Sequence, residues 1–172
     1  SMTTKSASSN SSYPSTQYIL PNDCTLSNIV PLFTWKNVQS FNYQQYHAIY
    51  QAVSNRTVLT FAFRQDSSYW CLDDLSFIEM SSKKNLIMNG GFERNPPKEF
   101  FRCLSNGSQS THSFPISIES HSGRQSYCAG SVHLPDYLSQ KISTKIDDLY
   151  EISFWLANNG DAPNAAKVII SY

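Results

Sequence analysis

Residues able to carry out acid–base or nucleophilic chemistry are few and scattered along the chain. No Gly-x-Ser-x-Gly elbow and no His-Glu-x-x-His motif occurs. The histidines lie far apart, at His47, His112, His121 and His133. Four of the aspartates form two adjacent pairs, Asp73-Asp74 and Asp147-Asp148. Neighbours on a strand face opposite sides of a sheet, so neither pair predicts the two-carboxylate site of a glycosidase, and we expect no enzyme.

Aromatic and cationic side chains at outward strand positions are better candidates for ligand binding. Trp155 faces away from the apolar side of the predicted strand 150–157, and flat rings can stack on the faces of sugars. His47 and Arg64 have the same outward parity on their own strands, and Tyr137 lies beside a predicted loop. We therefore predict a platform of Trp155 with Arg64, joined by His47 and Tyr137. The alternative is that Trp155 packs against a crossing loop.

The cysteines bear on the compartment of the protein. They form an even set without Cys-x-x-Cys zinc spacing, at Cys24, Cys71, Cys103 and Cys128. Two disulfides are the natural interpretation and indicate a secreted, extracellular protein, the alternative being four buried thiols of a cytosolic one. Three tripeptides also match the N-glycosylation pattern, Asn10-Ser11-Ser12, Asn55-Arg56-Thr57 and Asn106-Gly107-Ser108. Such tripeptides arise by chance in a chain rich in Ser and Asn, so they support secretion only weakly.

Length and charge limit the function classes further. With 172 residues the chain suits one domain. Its 13 basic and 13 acidic residues cancel, which argues against a nucleic-acid partner. No apolar run approaches the roughly 20 residues of a membrane span. Residues 1–16 have the composition of a flexible arm and lack the apolar segment of a signal peptide. We expect any signal peptide to have been removed or to lie upstream.

The remainder of the chain predicts short strands separated by Gly, Asn, Asp and Ser turns. Strand 58–64, for example, places Leu59, Phe61 and Phe63 on one face and Arg64 on the other. The other predicted strands are 29–38, 46–53, 70–78, 114–119, 125–132, 138–144, 150–157 and 167–171. About ten strands without a convincing helix predict an all-β sandwich or barrel.

Several segments resemble one known family. They are Asn85–Glu93 (NLIMNGGFE), His121-Ser122-Gly123, Leu138-Ser139-Gln140, Tyr150–Asn159 and Tyr69–Phe77. Together they resemble the carbohydrate-binding-module-like, galactose-binding-like jelly rolls that occur as repeats in secreted surface proteins. The resemblance implies a β-sandwich of the jelly-roll type with a non-catalytic function, either glycan binding and surface adhesion or a structural, protein-interacting repeat without sugar recognition.

The order of these segments is inverted relative to the family. The closing strands (17–80) precede a linker (81–84) and the opening strands (85–172), so we expect residues 17–172 to form one domain of rearranged order. A circular permutation explains this order. So does a piece cut from a tandem array across a repeat boundary, whose two partial repeats complete each other within one chain or in a domain-swapped dimer. Either way, Phe61 and Phe154 should line one core, and the segments around Leu72 and Ile87 should lie close together.

The resemblance also implies a structural Ca²⁺ between the opening and closing strands. Carried over residue by residue, its ligands are Glu93, Asp73 or Asp74, and carbonyls around Ser122 and Gly123. The alternative is that Glu93 and Asp73 accept backbone or Ser hydrogen bonds without a metal. For the disulfides three pairings are possible. We expect Cys103–Cys128, because both flank the strands that follow the opening one, which leaves Cys24–Cys71.

Overall fold

A computed structural model of the chain describes residues 28–104, 109–110 and 119–172. These residues form an all-β protein, and no helix long and apolar enough to cross a membrane occurs among them. The strands are β1 (Val30–Lys36), β2 (Phe41–Gln51), β3 (Arg56–Gln65), β4 (Trp70–Glu79), β5 (Phe101–Leu104), β6 (Gln109–Ser110), β7 (Tyr127–Ala129), β8 (Ser131–Val132), β9 (Asp136–Ser143), β10 (Leu149–Asn158) and β11 (Asn164–Ser171).

The strands form two antiparallel sheets that pack as a β-sandwich. The five-stranded sheet has the order β1-β11-β3-β9-β5, and the four-stranded sheet has the order β2-β10-β4-β7. Strands β6 and β8 form a separate two-stranded ribbon. The first half of the chain supplies β1 to β4, and each of them is hydrogen-bonded to strands of the second half. The two halves are therefore interleaved within both sheets.

One hydrophobic core lies between the sheets, and it is lined by alternate residues of each strand. On β3, Phe61 and Phe63 point inward, and on β10 Phe154 does so. The rings of Phe61 and Phe154 meet edge to face with their centroids 5.2 Å apart. Leu72 and Ile87 belong to the same cluster of buried residues. Phe61 and Phe154 thus line one core, as expected from the inverted order of the family-like segments, and the two-residue period of β3 and β10 turns both rings inward.

The segment expected to be the opening strand is mostly not a strand. Asn85 forms a single bridge with Ile78, and the chain then turns repeatedly up to Glu93. The segment runs along β4, where Leu75 N donates to Gly90 O at 3.0 Å. A β-carbon at Gly90 would overlap the Leu75 carbonyl, so this close approach requires a glycine.

Three other sequence predictions differ from the structure or lie partly outside the described residues. The expected strand 125–132 is divided into β7 and β8 around Gly130. The expected strand 114–119 lies outside the described residues except for Glu119, which is not in a strand. Tyr137, expected beside a loop, lies inside β9.

The predicted disulfide pairing is wrong. Cys71 on β4 and Cys128 on β7 lie directly opposite each other in the four-stranded sheet, with their α-carbons 4.1 Å apart, and form a buried disulfide. Because Cys128 is bonded to Cys71, it cannot pair with Cys103, which lies on β5 at the edge of the other sheet. Cys103 is itself disulfide-bonded, and Cys24 lies outside the described residues. A buried disulfide is compatible with an extracellular protein.

Candidate functional site

Residues 119–125 cross the outer face of the four-stranded sheet and are held there by carboxylates; we call them the clamped loop. Two of these carboxylates, Asp73 and Asp74, are neighbours on β4. The register of β4 against β10 shifts here, since Ser153 pairs with Ser76 whereas Trp155 pairs with Asp73. Asp74 occupies this bulge with a φ of 48°. The bulge directs both carboxylates toward the clamped loop, so the expectation that they face opposite sides is wrong.

Asp73 is fully buried and binds the loop through its backbone. Its Oδ2 accepts hydrogen bonds from His121 N at 2.8 Å and Ser122 N at 3.1 Å, while Oδ1 accepts one from Asp74 N at 2.7 Å. Burial raises the pKa of Asp73 to about 6, against the lowering effect of the three amide hydrogen bonds. The carboxyl group is thus both a loop anchor and a group that titrates near neutral pH.

Glu93 holds the other end of the clamped loop. Its Oε1 accepts hydrogen bonds from Arg124 N at 2.7 Å and Gln125 N at 3.0 Å. Gly123 has a φ of 62°, the left-handed conformation that glycine adopts without cost. Glu93, Asp73, Asp74, Ser122 and Gly123, which the sequence analysis assigned to one site, therefore do come together.

The hydrogen-bond donors around these carboxylates determine how well the site fits Ca²⁺. Calcium takes about six to eight oxygen ligands, but the oxygens of Asp73 and Glu93 described above face backbone N–H groups. Among the described residues, no group of three or more His, Cys, Asp or Glu side chains is placed to hold a metal ion. Because backbone amides already occupy these carboxylate oxygens, the residues fit the metal-free alternative, a hydrogen-bonded clamp, better than a calcium site.

An Asp, a His and a Ser also meet in the clamp, but their hydrogen bonds do not form a catalytic triad. Asp74 Oδ2 lies 2.7 Å from His121 Nδ1, and Asp74 Oδ1 accepts a hydrogen bond from Ser122 Oγ at 2.7 Å. In a triad the serine would instead donate to the histidine, which removes its proton. Here the Ser122 hydroxyl is bound to the carboxylate, so this arrangement does not activate a nucleophile.

Glu119 attaches the start of the clamped loop to the sheet, and the sequence analysis did not identify it. Its carboxylate accepts hydrogen bonds from Tyr69 Oη and Asn159 Nδ2, each at 2.9 Å. Its backbone carbonyl accepts one from Tyr43 Oη at 2.8 Å. Burial raises the pKa of Tyr43 to about 12. Nothing in the local sequence links these four residues, because they come from β2, the residue before β4, the clamped loop and the residue after β10.

Trp155 points outward from β10, as its strand position predicts, but its ring is not free. The imidazole of His121 lies flat on the indole, with ring centroids 3.7 Å apart and an interplanar angle of 13°. The ring of Tyr43 meets His121 edge to face at 5.7 Å. The alternative in which Trp155 packs against a crossing loop is therefore what the structure shows, although the indole is only half-buried.

His47 lies on the same exposed surface as Trp155. Trp155 pairs with Gln45 across β10 and β2, and Ser153 pairs with His47, so Trp155 and His47 are diagonal neighbours on one face. His47 Nδ1 lies 3.5 Å from Glu151 Oε1. We call this surface, formed by the outward side chains of β2 and β10 from Trp155 to Glu151, the β2–β10 face.

Arg64 and Tyr137 lie on the opposite side of the sandwich. Both belong to the outer surface of the five-stranded sheet and line a cleft of about 180 Å³, together with Ala62, His133, Pro135, Ala165, Ala166, Lys167 and Ile169. Arg64 is held there by two hydrogen bonds to Asp66, at 2.8 and 2.9 Å, and Tyr137 is buried. The predicted joint platform of Trp155 and Arg64 is therefore wrong, because outward parity on two strands does not say that the strands share a sheet.

Comparisons with models of protein families, with curated proteins and with solved structures gave no match.

Proposed function

We propose that the chain is a non-catalytic, extracellular binding module that recognises glycans on its β2–β10 face. The fold we assign to it is a galactose-binding-like jelly roll whose closing strands come first in the chain. The interleaving of β1 to β4 with strands of the second half supports a rearranged order within one chain. The side chains of Asp74, His121 and Ser122 are not hydrogen-bonded in the sequence that a catalytic triad requires, which supports a non-catalytic role.

One observation carries the proposal: an aromatic ring and a row of polar side chains share one exposed surface. Trp155, stacked with His121, lies at one end, and Gln45, His47 and Glu151 continue along the strands. Sugars present apolar ring faces for stacking and hydroxyl groups that both donate and accept hydrogen bonds. Amide, imidazole and carboxylate groups supply both functions, so the surface suits a neutral saccharide.

A glycan array tests the proposal with a matched pair of variants. Trp155→Ala removes the indole from the β2–β10 face, and Arg64→Ala removes a cation from the opposite side of the sandwich. We expect the wild type and Arg64→Ala to bind the same saccharides and Trp155→Ala to lose that binding by tenfold or more, as expected when about 1.4 kcal/mol or more is removed. Near-ultraviolet circular dichroism and thermal melting establish that each variant is folded. Equal loss in both variants would place the site elsewhere.

A second candidate function is a protein-interaction repeat without sugar recognition, assembled with neighbouring repeats or as a swapped dimer. It is favoured by the His121 ring, which already covers one face of Trp155. His121→Ala uncovers that face and discriminates the two functions. Saccharide binding that persists or increases in His121→Ala supports the glycan-binding module. An array without hits for both the wild type and this variant, together with self-association measured by analytical ultracentrifugation, supports the repeat.

A further inference from the structure

We propose that Asn55 carries an N-linked glycan that covers an apolar cluster at the end of the sandwich remote from Trp155. Asn55 lies in the turn between β2 and β3 and is exposed to solvent. It begins the tripeptide Asn55-Arg56-Thr57, which has the spacing required of an N-glycosylation acceptor. Among the described residues, no hydrogen bond engages its side-chain amide, whereas its backbone carbonyl accepts one from Thr144 N at 3.0 Å.

The apolar cluster surrounds this turn. Its members are unusually exposed for large apolar side chains: Ile49 at 50%, Val53 at 52%, Ile146 at 53% and Leu149 at 45%. Ile49 on β2 and Leu149 on β10 are diagonal neighbours, and Val53 and Ile146 lie in the adjoining turns. Backbone hydrogen bonds join these two turns, from Ala52 N to Asp148 O at 3.0 Å and from Asp147 N to Ala52 O at 2.8 Å. Exposed apolar patches commonly mark surfaces that interact with another group. A glycan is bulky and solubilising, and Asn55 follows Val53 of the cluster by two residues.

The position keeps the aromatic end of the proposed binding surface clear, whereas Ile49 of the apolar cluster pairs with Glu151 at the other end of that surface. Strand β2 carries Gln45 opposite Trp155 and Gln51 opposite Leu149, and this length of strand spans about 20 Å. Asn55 follows Gln51 at the far end. A glycan attached there would leave the β2–β10 face open at its aromatic end.

The burial of Thr57 determines when the sugar is attached. Its side chain is fully buried, and its hydroxyl lies 2.9 Å from Thr144 Oγ1. A transferase that must engage this hydroxyl cannot reach it in the folded domain, so transfer precedes completion of β3. In the transfer, Asn55 Nδ2 forms a bond to the anomeric carbon of a polyprenyl-pyrophosphate-linked oligosaccharide. The bond from that carbon to the pyrophosphate breaks, the lipid pyrophosphate leaves, and the amide loses one proton to an enzyme base.

Secretion of the full chain from eukaryotic cells behind a heterologous leader tests this inference. The double variant Ser12→Ala/Ser108→Ala removes the other two tripeptides. We expect peptide mapping of this protein to show a glycan on Asn55, and N-glycosidase to remove it and leave Asp at that position. Thr57→Ser, which keeps the hydroxyl, should retain the glycan, and Asn55→Gln should lack it. Secreted, folded protein with unmodified Asn55 would overturn the inference.

The covering role has its own measurement. Removing the glycan from the folded protein should increase binding of an apolar dye, and Asn55→Gln should match the deglycosylated wild type. Equal dye binding before and after removal would overturn the covering role. The inference rests on the proposed function in one respect, the extracellular location of the chain. Glycosylation of Asn55 and saccharide binding can nevertheless fail independently. Saccharide binding at Trp155 is read on the array, whereas occupancy of Asn55 is read by mass.

Discussion

Gly123 lies directly against the carboxylate of Glu93, so that a β-carbon on Gly123 would overlap Glu93 Oε1. The same oxygen accepts the amide hydrogens of Arg124 and Gln125. The absence of a side chain at Gly123 is therefore what allows Glu93 to reach the amides beyond it. Two segments far apart in sequence are joined by this contact.

Gly123→Ala should destabilise the protein by about 1–3 kcal/mol, the usual cost of a non-glycine residue in a left-handed conformation, because its φ is 62° and the methyl group would displace Glu93. Gly91→Ala is the matched control. A β-carbon at Gly91 would have no neighbour closer than 3.9 Å. Urea unfolding of both variants measures the difference, and equal stabilities would contradict the role of Gly123.

The buried Asp73 should make stability depend on pH. Its pKa is about 6 in the folded protein against an ordinary value of 3.8, so protonation favours the folded state. Its contribution is fully present below about pH 4 and is lost as the pH rises through about 6, amounting to about 3 kcal/mol at most. Asp73→Asn does not titrate and is the reference.

Urea unfolding of wild type and Asp73→Asn between pH 4 and pH 8, values chosen to bracket the transition, should show the wild type losing stability relative to the variant as pH rises. Asn at this position presents an amide N–H to the loop amides, so we expect the variant to be less stable than the wild type at every pH. The informative quantity is therefore how the stability difference between the two proteins changes with pH. Parallel profiles, or a difference of the opposite sign, would contradict the raised pKa.

Calcium should leave the melting temperature unchanged. The carboxylates of Asp73 and Glu93 already accept five backbone hydrogen bonds between them, three at Asp73 and two at Glu93. A cation that bound the folded state alone would raise the melting temperature with its concentration. Thermal melts in calcium chloride and in EGTA measure this. A calcium-dependent rise that disappears in Glu93→Gln would restore the metal site.

The disulfide Cys71–Cys128 should contribute about 2–5 kcal/mol, because it constrains the unfolded chain. Cys71→Ala/Cys128→Ala tests the magnitude by urea unfolding. Digestion without reductant tests the pairing and should release one fragment in which these two cysteines are linked. A fragment linking Cys103 to Cys128 would show that β4 and β7 are not neighbours as described.

The periodicity of single strands could be predicted from the sequence. Side chains alternate between the two faces of any strand, which is enough to place Phe61 and Phe154 inside and Trp155, His47 and Arg64 outside. The same alternation predicted an all-β sandwich or barrel, whereas the interior shared by both halves of the chain was expected from the family resemblance. Glu93, Asp73 and Gly123, which the family resemblance grouped as a calcium site, meet at the clamped loop, where the two carboxylates accept backbone hydrogen bonds from the loop and Gly123 lies against Glu93.

Only the tertiary structure decided which outward residues lie on the same outer surface of the sandwich. Trp155 and Arg64 have identical parity but belong to different sheets, and parity is a local property whereas sheet membership depends on pairing between distant strands. The partner of Cys128, the bulge that turns Asp74 toward the clamped loop and the stacking of His121 on Trp155 are of the same kind. Each depends on the register between segments about 30 residues or more apart, and in a sheet that register is set by packing over the whole core.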